Sequence, residues 1–141
     1  MKITNAMRRL AVLPLCLGMS VGFGVAHASQ LSKSQFDDVK AQAQSLHEQS
    51  MQGCKSLSGN AADICQAEAD WKRTRTVATA RAMHEGTPQA AFDARESIAK
   101  AELKWADEKC DDLSGQPAAV CRQRAESNYT VAMADAKVRL K

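Results

Sequence analysis

Four cysteines lie in two boxes with the same internal spacing. The first runs Cys54-Lys-Ser-Leu-Ser-Gly-Asn-Ala-Ala-Asp-Ile-Cys65 and the second Cys110-Asp-Asp-Leu-Ser-Gly-Gln-Pro-Ala-Ala-Val-Cys121. Cysteines at a fixed spacing can form disulfides, bind a metal or act as a redox pair. Structural zinc sites favour paired ligands about two to four residues apart, and redox pairs are usually C-x-x-C. Neither pattern fits these boxes, so we predict structural disulfides.

Geometry selects the cysteine pairing. The midpoint of each box falls beside its glycine, Gly59 in the first box and Gly115 in the second. In two antiparallel helices, residues equally far from the connecting turn face each other and can meet the Cα separation of about 5.5–6 Å that a disulfide needs. Each bond would close a loop of about a dozen residues and contribute about 3 kcal/mol. We therefore predict disulfides within the boxes, Cys54–Cys65 and Cys110–Cys121, over the pairings between them.

Two histidine–methionine pairs carry groups that bind soft metals. His47 and Met51 stand four residues apart, and Met83 directly precedes His84. In antiparallel helices the first pair lies near a hairpin tip and the second at the opposite end, so one chain cannot bring both pairs to one ion. We predict surface histidines and gap-filling methionines, with no metal and no other cofactor. A metal site at His47/Met51 or at Met83/His84 is the alternative.

Adjacent carboxylates occur at Asp37-Asp38 and at Asp111-Asp112. Neighbouring residues on a helix point in different directions, so neither pair forms the facing dyad that acid–base catalysis requires. The position of one carboxylate pair near a helix start and of the other beside a hairpin turn accounts for these residues without catalysis. The sequence contains no Gly-rich phosphate loop, nucleophile elbow or His-Glu metal motif. The prediction is a protein without catalytic residues, which is not an enzyme.

The two tryptophans, Trp71 and Trp105, are the largest apolar side chains of the sequence. We interpret them as anchors that pack between helices. Tryptophan is also enriched among the residues that dominate protein–protein binding. A protein interface at Trp71 and Trp105 is therefore the alternative.

Residues 1–28 have the three parts of a secretory signal peptide. Lys2, Arg8 and Arg9 carry positive charge, an apolar stretch follows, and Ala26-His27-Ala28 is a small-residue cleavage site. Cleavage would start the mature chain at Ser29 and leave no transmembrane helix. We therefore expect an exported protein of the periplasm.

Cleavage also changes the cysteine count and the charge. It removes Cys16 and leaves four cysteines, an even number that suits two disulfides in an oxidising compartment. Of the 19 Lys and Arg, three lie in residues 1–28, which contain no acid, so 16 basic residues balance 16 acidic ones. A mature chain without net charge gives no reason to expect binding to nucleic acid or to an anionic membrane.

Composition and helix breakers predict an all-α fold. The mature chain is rich in Ala, Gln, Glu, Lys and Arg, which are strong helix formers. Each of Ser58-Gly59-Asn60, Gly86-Thr87-Pro88 and Ser114-Gly115-Gln116-Pro117 has a glycine suited to a helix C-cap and a polar residue suited to the next N-cap. The predicted helices are 32–57, 61–84, 88–113 and 117–140. Short connections between helices of similar length favour an up-down-up-down order.

Apolar residues recur at helical spacing, but alanine fills most positions. In the first helix one face carries Phe36, Val39, Ala43 and Leu46, and in the fourth helix one face carries Val120, Val131 and Val138. Alanine allows helices to approach closely and buries little area, at about 25 cal/mol per Å². We therefore expect either a loose four-helix bundle or slim extended hairpins, with the disulfides compensating for a thin core.

A shift of 56 positions superimposes the two boxes and further matched residues. It places Phe36-Asp37 on Phe92-Asp93 and Ala43 on Ala99. These matches predict an internal repeat whose copies pack on each other. The predicted organisation is a signal peptide (1–28), a first helical hairpin repeat (29–87) and a second (88–141).

The doubled box, followed by an alanine- and charge-rich helix, resembles a group of small exported proteins of Gram-negative bacteria. Their boxes read C-x-x-L-x-G-N-A-x-x-x-C. The box from Cys54 to Cys65 fits this pattern throughout, and the second box departs from it at Gln116-Pro117, where the pattern has Asn-Ala. Such proteins are sometimes labelled similar to the cell-envelope protein TolA. The resemblance implies an exported, helical protein.

These observations predict a non-enzymatic periplasmic helical protein that acts by protein interaction, in cell-envelope structure or stress. Its partner would be another envelope protein, and a homo-oligomer is a second form that such interaction can take. The alternative is a small binding module, either a chaperone that holds unfolded clients on an exposed apolar groove or a metal-binding protein. An exposed apolar patch would favour the chaperone, and tight stoichiometric metal uptake would favour the metal-binding protein.

Overall fold

The computed structural model describes residues 30–140, and the predicted signal peptide lies outside this range. The described chain forms four helices and no strand: α1 (Lys33–Cys54), α2 (Asn60–Glu85), α3 (Pro88–Cys110) and α4 (Gly115–Val138). Two disulfides join α1 to α2 and α3 to α4. The predicted all-α fold of disulfide-stapled helical hairpins is confirmed.

The turn between α2 and α3 follows the predicted capping pattern. Gly86 ends α2 in the left-handed conformation with φ of 63°, which glycine adopts at no steric cost. The hydroxyl of Thr87 accepts a hydrogen bond of 3.0 Å from the backbone N–H of Ala90. Pro88 is the first residue of α3, where its missing N–H removes no helical hydrogen bond.

The turn between α1 and α2 differs from the prediction. Lys55 is the C-cap of α1, so the helix ends three residues earlier than expected. Gly59 takes the N-cap position of α2 with φ of 58°, and Asn60 is already the first helical residue. The predicted roles of Gly59 as a C-cap and Asn60 as an N-cap were therefore wrong, and the asparagine side chain is free to bond outside its own helix.

Each helix packs only against its neighbours in sequence. Contacts join α1 to α2, α2 to α3, and α3 to α4, and no other helix pair within residues 30–140 brings Cα atoms within 8 Å. The contact between α2 and α3 is the most extensive, so the two hairpins pack on each other. The result is an open up-down-up-down row in which α1 and α4 form the edges. None of these helices is both long and apolar enough to cross a lipid bilayer.

Small side chains make up the core, as the sequence predicted. Cys54 and Cys110 are each 1% exposed. The other buried apolar residues are Ala43, Ala67, Ala69, Ala80, Ala90, Ala94, Ala99, Ala118, Ala125 and Ala136. Because no large side chain within residues 30–140 is fully buried, packing contributes little stability per residue.

Buried positions agree with the 56-residue shift. Three pairs of buried alanines are related by it: Ala43 with Ala99, Ala69 with Ala125, and Ala80 with Ala136. The paired residues therefore take equivalent places in the two hairpins. Internal duplication of the sequence stays a prediction.

The valine face of α4 does not point into the core, and the apolar face of α1 does so through Ala43, at 4% exposure, but not through Leu46. Leu46 is 63% exposed, and Val120, Val131 and Val138 are 43%, 68% and 71% exposed. The prediction that these four side chains pack against a neighbouring helix was wrong. The fully buried positions between the helices are mostly alanine, which permits close approach, and Leu46 and the three valines remain outside.

Candidate functional site

Disulfides close both hairpin tips, which we define as residues 55–59 between α1 and α2 and residues 111–114 between α3 and α4. Cys54 bonds to Cys65 and Cys110 to Cys121, with Cα atoms 5.6 Å apart in each case. This is the connectivity that the position of each box predicted. The two disulfides hold the backbone in place at each tip, where there is little apolar packing to stabilise it.

The two hairpin tips lie at the same end of the molecule and are joined there. The helices alternate in direction, so the start of α2 lies beside the end of α3. The side-chain amide of Asn60 donates hydrogen bonds to the backbone carbonyl of Glu108 at 3.0 Å and to the carboxylate of Asp112 at 2.7 Å. One asparagine therefore connects the first tip to the second.

Each hairpin tip exposes one leucine in the same local geometry. Leu57 and Leu113 are both 45% exposed. Their backbone N–H groups donate to the carbonyls of Cys54 and Cys110, at 3.0 and 3.1 Å. These leucines were not among the predicted site residues, although Leu occupies the same position in both boxes and this repetition is a signal that could have indicated them.

The adjacent carboxylates point to different partners. Asp111 pairs with the guanidinium of Arg122, whereas Asp112 accepts from Asn60. In the other pair, a hydrogen bond from Lys33 lowers the pKa of Asp37. These carboxylates serve local ion pairs and hydrogen bonds.

Asp107 lies near the second hairpin tip in an environment that disfavours its charge. Partial burial raises the pKa of Asp107, and repulsion from Glu126 and Asp111 adds to this effect. Attraction to Arg122 opposes it. The ionised carboxylate is therefore less stable in the folded protein than in the unfolded chain.

Replacement of Asp107 by asparagine should stabilise the protein at neutral pH. A raised folded-state pKa means that the penalty is fully present above that pKa and disappears as the pH falls below the ordinary value of 3.8. Asp107→Asn should therefore raise the melting temperature by roughly 1–3 °C at neutral pH, with no gain below the ordinary aspartate pKa. Thermal melts across this pH range test the prediction, with the exposed Asp38→Asn as the matched control. An equal gain at all pH values would contradict it.

The two tryptophans stack on each other between α2 and α3. The ring centroids of Trp71 and Trp105 are 4.8 Å apart with an interplanar angle of 19°. The guanidinium of Arg75 lies 5.6 Å from the Trp71 ring, and the ammonium of Lys109 lies 3.6 Å from the Trp105 ring. Both tryptophan side chains are half-buried. The N–H group of each indole is buried without a hydrogen-bond partner among the described residues. The stack joins the two hairpins, and an interface with another protein at these residues stays a prediction.

The histidines make separate contacts, His47 with the middle of α2 and His84 from its C-terminal turn. Nε2 of His47 lies 2.8 Å from Oδ1 of Asp70. Nδ1 of His84 donates to the carbonyl of Leu31 at 2.7 Å, and its ring stacks on Phe36 with centroids 5.4 Å apart. Within residues 30–140, no three His, Cys, Asp or Glu side chains converge to hold a metal ion. The His47 contact connects α1 to α2. The His84 contacts connect α2 to Phe36 of α1 and to Leu31, which precedes α1.

Comparison with known proteins gives no relative. No family model matches the chain, and no significant match occurs among curated proteins or solved structures.

Proposed function

We propose that this chain is a non-enzymatic periplasmic protein that binds another protein of the cell envelope through its two hairpin tips, in envelope structure or stress. The observation that carries the proposal is the placement of Leu57 and Leu113. Both are 45% exposed, and both lie at one end of the row, next to a disulfide. Fixed, exposed apolar side chains cost little ordering entropy when a partner covers them. Two disulfides are typical of proteins outside the cytoplasm, which supports export, as does the resemblance to exported proteins with this box.

Crosslinking in intact cells tests the tip surface. A photoreactive residue at Leu57 or at Leu113 should crosslink to the same discrete envelope protein. The matched control is Met83, which is 47% exposed at the opposite end of α2 and should give no such product. A further position at Lys109, beside the Trp105 ring, reports on the tryptophan surface.

Substitutions separate specific binding from random capture. Leu113→Asp should abolish crosslinking from Leu57, because both leucines would contact one partner, whereas Met83→Asp should leave it unchanged. If a crosslinked product forms only from the position at Lys109, the interface lies at the tryptophans and not at the hairpin tips. The tip proposal fails if neither leucine position crosslinks to a discrete protein.

A chaperone is the second candidate function, and the exposed valines of α4 favour it. Val131 and Val138 are 68% and 71% exposed, and exposed apolar surface can hold an unfolded client. The test is aggregation of reduced insulin in the presence of the purified protein. Suppression that disappears in Val131→Glu would support a chaperone, and unchanged aggregation would exclude it for this surface. No contact in the described residues favours the metal-binding alternative.

A further inference from the structure

An elongated groove lies on the first hairpin, between α1 with the segment before it and α2. Its volume is about 530 Å³, which is within the roughly 300–1,000 Å³ of typical small-molecule sites. The residues of α2 that line it run from Lys72 to Met83, and these eleven positions correspond to about 16 Å of helix. The shape therefore suits a ligand that contains a chain.

The end of this groove near Met83 is apolar. Leu31 and Val39 line the groove with Met83; the first two are partly buried, and Met83 is 47% exposed. The backbone of Leu31 offers no free polar group here. Its N–H donates to the carbonyl of Met83 at 3.2 Å, and its carbonyl accepts from Nδ1 of His84 at 2.7 Å. An alkyl chain fits such surroundings, because burial of apolar surface is favourable.

Two cations lie at the other end of the groove. The guanidinium of Arg75 lies 5.6 Å from the centre of the Trp71 ring, and Arg75 forms no salt bridge among the described residues. The ammonium of Lys72 pairs with Glu68 at 2.8 Å at an exposed site. No Asp or Glu within residues 30–140 lines the groove. Charge complementarity therefore favours an anion, with Arg75 as its available partner.

The second hairpin lacks these two cations. The shift of 56 positions relates Lys72 to Asn128 and Arg75 to Val131. The second hairpin nevertheless forms the same antiparallel helix pair, closed by the same kind of disulfide. Packing of a hairpin therefore does not require the two cations, which leaves binding as the use that the groove makes of them.

We propose that the groove binds the anion of a fatty acid, with the carboxylate at Arg75 and Lys72 and the alkyl chain along Val39 toward Met83. The helix dipole favours this direction, because Met83 lies in the last turn of α2, where partial negative charge repels an anion. A small anion would gain only an exposed ion pair, which is weak, and a neutral chain would leave Arg75 unused. The site is separate from the hairpin tips and does not rest on their proposed function.

Isothermal titration calorimetry of the full chain, with both disulfides formed, tests the proposal with dodecanoate as the probe. We expect one site with a dissociation constant of about 10–500 µM, because an open groove leaves part of the alkyl chain in water. Dodecyltrimethylammonium has an alkyl chain of the same length and the opposite charge, and it should bind at least about tenfold more weakly. Acetate, which lacks the chain, should give no measurable binding.

Substitutions at each end of the groove locate the site. Arg75→Gln should weaken dodecanoate binding about fivefold or more, and Met83→Asp should weaken it by placing negative charge beside the alkyl chain. The matched control Arg124→Gln removes the same charge from exposed surface of α4 and should bind as the unmodified chain does. Leu57→Asp should also leave binding unchanged, so this proposal and the tip proposal fail independently.

Four results would overturn the proposal. They are absence of dodecanoate binding at about 1 mM, equal binding of dodecyltrimethylammonium, equal affinity of Arg75→Gln, and binding to vesicles of anionic phospholipid without binding of dodecanoate. The last result would show that these cations contact a lipid surface and not a single fatty acid. Tryptophan emission gives a local readout, since dodecanoate at Arg75 should change the fluorescence of the adjacent Trp71.

Discussion

Replacing all four cysteines by serine should lower the melting temperature by roughly 15–25 °C, while far-UV helicity falls much less. Each disulfide closes a short loop and is worth about 3 kcal/mol, against a total stability of about 5–15 kcal/mol for a domain of this size. Cys54 and Cys110 are also the largest fully buried side chains of the part of the chain that the structure describes. Helix propensity is local, so helical content should persist as the hairpins loosen.

Two controls identify the cause of this loss. The variant with alanine at the same four positions should lose a similar amount of stability. The loss is expected to come from the missing disulfides and not from burial of a serine hydroxyl. Removing either disulfide alone should cost about half the total, since both bonds span eleven positions with Cα atoms 5.6 Å apart. Thermal and urea unfolding measure these differences. An unchanged melting temperature would show that the disulfides do not stabilise the fold. A redox or metal-binding role of the cysteines would then be the better hypothesis.

Removing either member of the tryptophan stack should be the most damaging single substitution at the joint between the hairpins. No disulfide links α2 to α3, and the alanines around the stack bury little area. Trp71→Ala should therefore destabilise the protein by about 2–4 kcal/mol, somewhat less than for a fully buried tryptophan. Trp71→Phe keeps an aromatic ring against Trp105 and should cost less than half as much. Urea unfolding measures both.

A double-mutant cycle tests whether the stack itself stabilises the joint. Trp71→Ala and Trp105→Ala should be non-additive, with a coupling of about 0.5–1.5 kcal/mol. Because Trp71 and Trp105 are the only tryptophans, each substitution should also remove most of the near-UV circular dichroism that the stacked pair produces. Additive effects and an unchanged spectrum would mean that the rings do not stack in solution.

Several features of the fold follow from short stretches of sequence. Gly86-Thr87-Pro88 determines the turn between α2 and α3, because each residue suits one local backbone position. The cysteine pairing follows from the equal distance of each cysteine from its turn. Such features depend on neighbours along the chain, so spacing and residue type predict them.

Long-range features needed the tertiary structure. Asn60 looked like a cap for its own helix, but its amide connects the two hairpin tips through Glu108 and Asp112. The tryptophans were predicted as packing anchors, yet only the relative position of α2 and α3 places one ring on the other. Neither partner can be read from the local sequence, since the contacts cross 34 or more positions of the chain.

Helical spacing alone predicts that Val120, Val131 and Val138 share one side of α4, its valine face. It could not determine that this face lies outside. Periodicity shows which side chains align, whereas burial depends on which helix lies next to them. In this row α4 has one neighbour, and it meets α3 through Ala118, Ala125 and Ala136, whose small side chains allow close approach. Because α3 covers the alanine face of α4, Val120, Val131 and Val138 remain exposed.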